Sequence, residues 1–372
     1  NFNNSLEVAP QLFVSASHMS QNDVFLVLKN CKDTFTTGPD GVPCFLLKDC
    51  AGVLASPLCK LFNFILKQNQ MPKQWKKAYV CPIFKSGDIT NITNYRPISL
   101  LSNFAKVFET LLYKQLFSSL KCYISPQQHG FVEKRSTITN LASFSQYVSE
   151  SIDSRGQVDT IYTDFCKAFD QIDHFVLLDK LCRFGFSESL CKLFRSYLTD
   201  REQVVRYQNF FSKTIIPTSG VPQGSNLGPL LFLLFINDIV ENITCEKLLF
   251  ADDLKLFLEI NTTDDYLKLQ YNIDVVFDWC SQNRLSLNKD KCFVVSYTRK
   301  VEPLLFGYNI NGTVLKRKES SKDLGIIFDI KFSFSEHINN ITRKAYKMYG
   351  FLYRNCSDFC NIETLINLYY MF

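Results

Sequence analysis

Apolar and polar residues follow two rhythms along this chain, one with period two and one with the period of a helix. The stretch from Lys247 to Leu258 sets apolar residues on both sides of an acidic pair. Leu248, Leu249 and Phe250 predict a short buried strand, and Leu254, Leu256 and Phe257 predict a second. The pair Asp252-Asp253 then falls at a tight bend between them, with the two side chains directed to different faces. Val158 to Thr163 is β-rich, and Asp164 stands at its end. Lys76 to Lys85 and Asn94 to Leu100 predict two extended pieces around a Ser86-Gly87-Asp88 turn, because Pro97 keeps Arg96 out of the helical region. Two further β-rich runs cover Gln203–Tyr207 and Ser212–Ile216. Leu285 to Ser296 reads as a turn and a strand, and a short strand pair is expected around Leu324-Gly325.

Helical spacing appears in Leu46–Lys67, through Leu54, Leu58, Leu61, Phe62, Ile65 and Leu66. It recurs from Ser102 to Leu120, from Ser136 or Thr137 to Val148, and from the Asp170–His174 region to Phe184. Ser225 is expected to cap a helix reaching about Val240, with Pro229 in its first turn. Thr263–Cys280 is amphipathic, and Ser333 or Ser335 is expected to cap a last helical region. Residues 1 to about 35 also read as helical. Strands and helices in this mixed order predict an α+β fold.

Composition narrows the class. The chain has 372 residues, room for two or three domain-sized units, and 46% of them are hydrophobic, enough for a real core. No apolar run approaches the roughly 18 residues of a membrane span, and the start of the chain lacks a secretory pattern. The 14 cysteines make no Cys-x-x-Cys pair, so reduced intracellular thiols are expected. Cys356 and Cys360 are a weak zinc alternative. The net charge is +5, but Lys60 to Arg135 alone carries +9. A basic region beside an acidic centre suits a protein that holds phosphates near metal-binding carboxylates, and equally a solvated basic face.

The candidate chemistry centres on Asp164, Asp252 and Asp253. If their strands are neighbours in one antiparallel sheet, three carboxylates converge at one edge. Such a cluster wants divalent metal, with Mg²⁺ expected, and two ions can clamp the attacking and leaving oxygens of a phosphoryl displacement. Taken singly, the Asp252-Asp253 pair also reads as a polar turn, and Asp164 as a helix N-cap. Lys85 and Arg96 are placed to hold a triphosphate, one as a mobile charge and one as a bidentate fork. Lys291 is a candidate proton donor or charge neutraliser. The loop Ser219–Pro229, rich in glycine and proline, can approach a ligand closely through its backbone. His129, in the polar loop Gln127-Gln-His-Gly-Phe131, reads as a loop hydrogen-bonding residue rather than a ligand. No phosphate-binding Gly-x-x-x-x-Gly-Lys-Ser/Thr loop occurs.

Phe250-Ala-Asp-Asp253 resembles the aromatic-x-Asp-Asp box of reverse transcriptases, and Ser219-Gly-Val-Pro-Gln-Gly-Ser225 the Pro-Gln-Gly box. Asp164-x-x-Lys-Ala-Phe-Asp170 is similar to the first catalytic aspartate box, and Pro82–Asp88 and Tyr95–Leu100 to the fingers boxes. Leu287-Asn288 with Lys291, and Asp323-Leu-Gly325 with Asp329 and His337, are similar to the later ones. These boxes keep the family's order over roughly residues 37 to 340. The extensions through Phe232 and Phe235–Ile239 look most like the enzymes of non-LTR, LINE-type retrotransposons.

The resemblance implies a right-hand polymerase fold with an antiparallel-sheet palm flanked by helices, fingers and a partial helical thumb. The corresponding segments are an N-terminal helical extension (1–59), fingers (60–157), palm with insertions (158–330) and thumb (331–372). It implies RNA-templated DNA synthesis from dNTPs on a DNA primer, with two Mg²⁺ ions, or Mn²⁺, as cofactor. Asp164, Asp252, Asp253 and the Phe165 carbonyl become metal ligands, and Phe169 a gate against the ribose 2′-OH. Lys85, Arg96 and Lys291 become substrate contacts, and Gln223 and Gly224 pack near the template and nascent pair. Asn226 and Cys292 depart from the family's usual residues. Such elements normally also encode an endonuclease upstream and nucleic-acid-binding segments downstream. The apolar run Leu365–Phe372 reads as a truncated domain. The family's compartments, nucleus and cytoplasmic ribonucleoprotein, are the expected location. A group II intron-type maturase and a catalytically silent nucleic-acid-binding remnant are the alternatives, with a viral RNA-templated RNA polymerase disfavoured by Phe169 and the Pro-Gln-Gly box.

Overall fold

The computed structural model describes residues 13–356 and 361–371. The helical reading of residues 1–12, Cys360 of the Cys356/Cys360 pair and the terminal Phe372 lie outside them. In chain order the strands are β1 (Lys77–Phe84), β2 (Tyr95–Leu101), β3 (Gln157–Thr163), β4 (Glu202–Tyr207), β5 (Phe210–Phe211), β6 (Glu246–Phe250) and β7 (Asp253–Glu259). They continue with β8 (Phe293–Thr298), β9 (Asn309–Ile310), β10 (Thr313–Val314), β11 (Lys316–Arg317), β12 (Ser320–Asp323) and β13 (Ile326–Asp329).

Two sheets organise the chain. The larger has the order β11-β8-β3-β7-β6, and the smaller β2-β1-β4-β5. In the larger, β3 lies at the centre and pairs antiparallel with both β7 and β8. All seven of its residues are buried, and the charged one among them, Asp159, accepts hydrogen bonds from Gln157 Nε2 and Tyr308 Oη at 2.8 Å each. One face packs on the helix Thr137–Asp153, whose Leu141, Phe144, Val148 and Ile152 form a stripe against Val158, Tyr162, Phe257, Val295 and Tyr297. The Phe144 ring stands edge-on to Phe257 at 5.2 Å and to Tyr297 at 5.7 Å. Cutting it to alanine would cost about 3–5 kcal/mol. The other face, with Ile161, Leu254, Leu256 and Val294, meets the helices Gly228–Ile236 and Thr263–Gln282 in the main core. The first of these helices is apolar all round, as a fully buried helix must be.

Several local expectations change. The helical run from Leu46 is two helices, Cys44–Asp49 and Ala51–Gln68. Among the described residues before position 35, only Gln21–Lys29 is helical. Ser212–Ile216 is not a strand; Ile215 makes one bridge to Gln203. Asp164 is not a helix N-cap. Asp173 holds that role for His174–Arg183, accepting hydrogen bonds from the Phe175 and Val176 N–H groups. Nor does a serine cap the helix Ser335–Asn355. Asp329 instead accepts from the Ser333 and Phe334 N–H groups just before it. Ser225 Oγ does accept from the Gly228 N–H, but the buried Glu109 takes the Asn226 N–H beside it. Among the described residues no helix is long and apolar enough to cross a membrane.

Candidate active site

The site is built at one end of β3 and the β6–β7 hairpin. Thr163 pairs with Leu254 at the end of the ladder, and Asp164 and Asp253 are the next residues beyond that pair. Phe250 pairs with Asp253, which leaves Ala251 and Asp252 as a two-residue turn. Ala251 sits at φ +55°, a left-handed conformation that a non-glycine residue adopts only when held there. Asp164 and Asp252 are partly buried and Asp253 keeps more of its surface.

The electrostatics show crowding of like charge. Burial, then the negative charges of Asp252, Asp323 and Asp164, push the Asp253 carboxyl up to about 6, against the pull of Lys255. Burial and Asp164 also raise Asp252, while its own backbone N–H, Lys85 and Arg96 pull it down. Those last two cations reach the bend from the other sheet. Arg96 pairs with Ile83 on the β1–β2 finger, and the Lys85 N–H donates to the Asn94 carbonyl at 2.9 Å. Lys291 Nζ lies 3.6 Å from Asp164 Oδ2, the lysine largely in solvent and the aspartate about a third exposed. That pairing is screened and weak.

Among the described residues no three His, Cys, Asp or Glu side chains stand preset around one metal position. The donor set of the three aspartates, carboxylate oxygen throughout, suits a hard divalent cation. A cavity of about 380 Å³ opens beside Asp164 and Asp253, with Lys291, Lys318 and Lys322 on its wall.

The remaining sequence candidates surround this edge. Phe165 is buried and bridges to Leu287, behind Asp164. Phe169 stacks on Phe232 with ring centroids 4.3 Å apart and meets Phe131 edge-on, which fixes its ring. Gln223 Nε2 donates to Asp170 Oδ1 at 2.8 Å, and the Gln223 carbonyl accepts the Ser99 N–H at 2.7 Å. Gly224, at φ +125°, lies so close to β2 that a Cβ would stand 2.6 Å from the Ser99 carbonyl oxygen. The loop thereby ties β2 to the segment that follows β3. His129 Nδ1 bonds Thr139 Oγ1 at 2.8 Å, the loop role expected of it. The two departures have local uses. Cys292 Sγ accepts the Asp164 N–H at 3.4 Å, and Asn226 Nδ2 donates to the Lys106 carbonyl and Thr110 Oγ1.

Two features were not read from the sequence. Lys255, two residues after Asp253, forms a buried 2.5 Å ion pair with Asp323. Gln128, in a segment legible only as a polar loop, hydrogen-bonds the backbone of the bend.

Residues 83–328 match the family described as reverse transcriptase (RNA-dependent DNA polymerase). The chain is 28% identical over 356 residues to the probable RNA-directed DNA polymerase from transposon BS of Drosophila melanogaster, covering 92% of this chain and 39% of that protein. It is 29% identical over 296 residues to the RNA-directed DNA polymerase from mobile element jockey of the same organism, covering 76% and 32%. It is 26% identical over 309 residues to the Pol polyprotein from retrotransposable element R2 of Popillia japonica, covering 76% and 42%. The chain therefore spans well under half the length of these relatives. It belongs to the reverse transcriptase (RNA-dependent DNA polymerase) family, and the relatives it matches are the polymerases of non-LTR retrotransposons.

Proposed function

We propose that this chain catalyses RNA-templated extension of a DNA primer with dNTPs. The observation that carries the reading is the β3–β7 register, which brings Asp164, distant in sequence, opposite the Asp252-Asp253 bend. On this reading the larger sheet is the palm of residues 158–330, the β1–β2 region belongs to fingers of residues 60–157, and residues 1–59 form a helical extension. Residues 331–372 start a thumb, whose helix Ser335–Asn355 exposes Arg343, Lys344 and Lys347 to a duplex.

Asp164, Asp252, Asp253 and the Phe165 carbonyl would hold two Mg²⁺ ions, or Mn²⁺. When bound, these supply neutralising charge and polarise the phosphate oxygens. The chain's own residues do the rest. Lys85 and Arg96, whose charges are already felt at Asp252, bind the triphosphate and orient it toward the bend. Phe169, immobilised on Phe232, occupies the place a ribose 2′-OH would need. Gln223 and Gly224, fixed between Asp170 and Ser99, offer a flat backbone surface to the template and nascent pair. Lys291 stands near Asp164 and can pass a proton to departing pyrophosphate.

Primer extension on RNA and DNA templates, with dNTPs or NTPs, tests the reading. Asp252→Asn is expected to lower extension by at least about 10³-fold while primer–template affinity stays within about threefold, because that carboxylate would hold the cation at the reacting phosphate. Equal extension by the variant removes the assignment, and binding without extension by the parent chain marks a silent remnant.

A further inference from the structure

The carboxylates act only if the turn that carries them points them correctly, and that turn is not self-supporting. Ala251 is left-handed at φ +55° without being glycine. What lies against it is the loop Gln127–Gly130. Its main chain runs along the free edge of β6 like a short extra strand. The Leu249 N–H donates to the Gln127 carbonyl and the His129 N–H to the Leu249 carbonyl, each at 2.9 Å. Where the hairpin turns away, the Gln128 side chain takes over from the ladder. Gln128 Oε1 accepts from the Ala251 N–H at 2.9 Å and from the Gly130 N–H at 2.8 Å. Gln128 Nε2 donates to the Ala251 carbonyl at 3.3 Å. A primary amide is suited to this, offering an acceptor and a donor to the two backbone groups of one residue. Gln128 is 3% exposed, so water cannot substitute for it.

The loop is itself anchored from behind. Arg135 Nη1 donates to the Gln128 carbonyl at 2.6 Å and to the Ser125 carbonyl at 2.9 Å. Gly130 is pressed so closely on the Ala251 backbone that any Cβ there would collide with the Ala251 nitrogen. The bend is therefore gripped by an amide on one residue and by a bare backbone two residues later.

We propose that Gln128 is a positioning residue for the active site: it holds Ala251 in its left-handed conformation and thereby sets the direction of Asp252 and Asp253. The inference rests on the polymerase reading above. Gln128→Met keeps the length of the side chain and deletes all three bonds. Its expected effect is a fall of about 10–100-fold in kcat on an RNA template, the scale of an ångström-sized misplacement, with dNTP KM within about twofold. Glycine adopts a positive φ without the Cβ clash. Ala251→Gly should then be nearly silent alone, yet recover about fivefold or more in the Gln128→Met background.

Amide hydrogen exchange reads the same grip without any polymerase assay. In Gln128→Met the Ala251 amide should lose protection while the amides of β3, β7 and β8 keep theirs. Loss of protection throughout the sheet, a raised KM with unchanged kcat, or the same effect of Ala251→Gly in both backgrounds would each overturn the positioning role. A parent chain that extends no primer would instead sink the polymerase reading, and the exchange pattern would still decide whether Gln128 governs the bend.

Discussion

A side chain's use in this site depends on what immobilises it. Phe169 is held by the stacked ring of Phe232 at 4.3 Å and by Phe131 edge-on. A ring so fixed excludes a substituent by volume, whereas a smaller residue leaves room. Phe169→Val is therefore expected to lower dNTP-over-NTP discrimination by about 10-fold or more, since a steric contact of this size is worth roughly 1–3 kcal/mol. Single-nucleotide incorporation with paired dNTP and NTP titrations measures it, and unchanged discrimination removes the gate. The residues legible in the sequence were those with distinctive neighbours: Asp252-Asp253 between apolar runs, Asp164 at a β-rich end, Phe169 within its box. Gln128 carried no such mark. Its role comes from a bridge to Leu249, 121 positions away in the chain, and no local pattern encodes a partner that far off.

Elements show the same division. Strands β3, β6 and β7 follow from β-rich and apolar runs, and the long helices from helical spacing. Caps were less legible, since several candidate oxygens lie within a few residues of every helix start and only packing selects Asp173 or Asp329. Least legible was the link from the β12–β13 hairpin to the large sheet. Lys255 sits in a run of apolar residues, where a charge looks out of place. It is there to meet Asp323 at 2.5 Å, with Lys255 Nζ also 4.5 Å from the centre of the Phe144 ring. Burial outweighs the attraction of Asp323 and draws the lysine below its usual range. A buried pair of this kind contributes little net stability, but removing one partner strands the other. Lys255→Met is expected to destabilise the fold by about 3–5 kcal/mol, and Lys255→Met with Asp323→Leu to recover most of that loss. Urea unfolding of both variants decides it, and additive losses would mean that the two charges do not answer each other.

At the scale of the whole molecule, the fold assembles negative charge from two distant segments at one end of the larger sheet. That arrangement has a thermodynamic signature. The Asp253 carboxyl stands at about 6 in the folded chain against an ordinary 3.8, raised first by burial and then by Asp252, Asp323 and Asp164. Between those values the folded state binds the proton more tightly than the unfolded state. The sign follows: the stabilising contribution of that proton is complete below 3.8 and is lost as the pH rises through about 6. In chelator, the melting temperature should accordingly fall between pH 5 and pH 7, and Asp253→Asn should flatten that part of the curve. A divalent cation binding the ionised carboxylates competes with the same protons. Added Mg²⁺ should thus raise the melting temperature by on the order of a few degrees at pH 8 and much less at pH 5. Thermal melts at the two pH values, with Mg²⁺ and with chelator, make the comparison. An equal Mg²⁺ shift at both would place the cation away from Asp253, and the cluster would then need another explanation for its crowded charge.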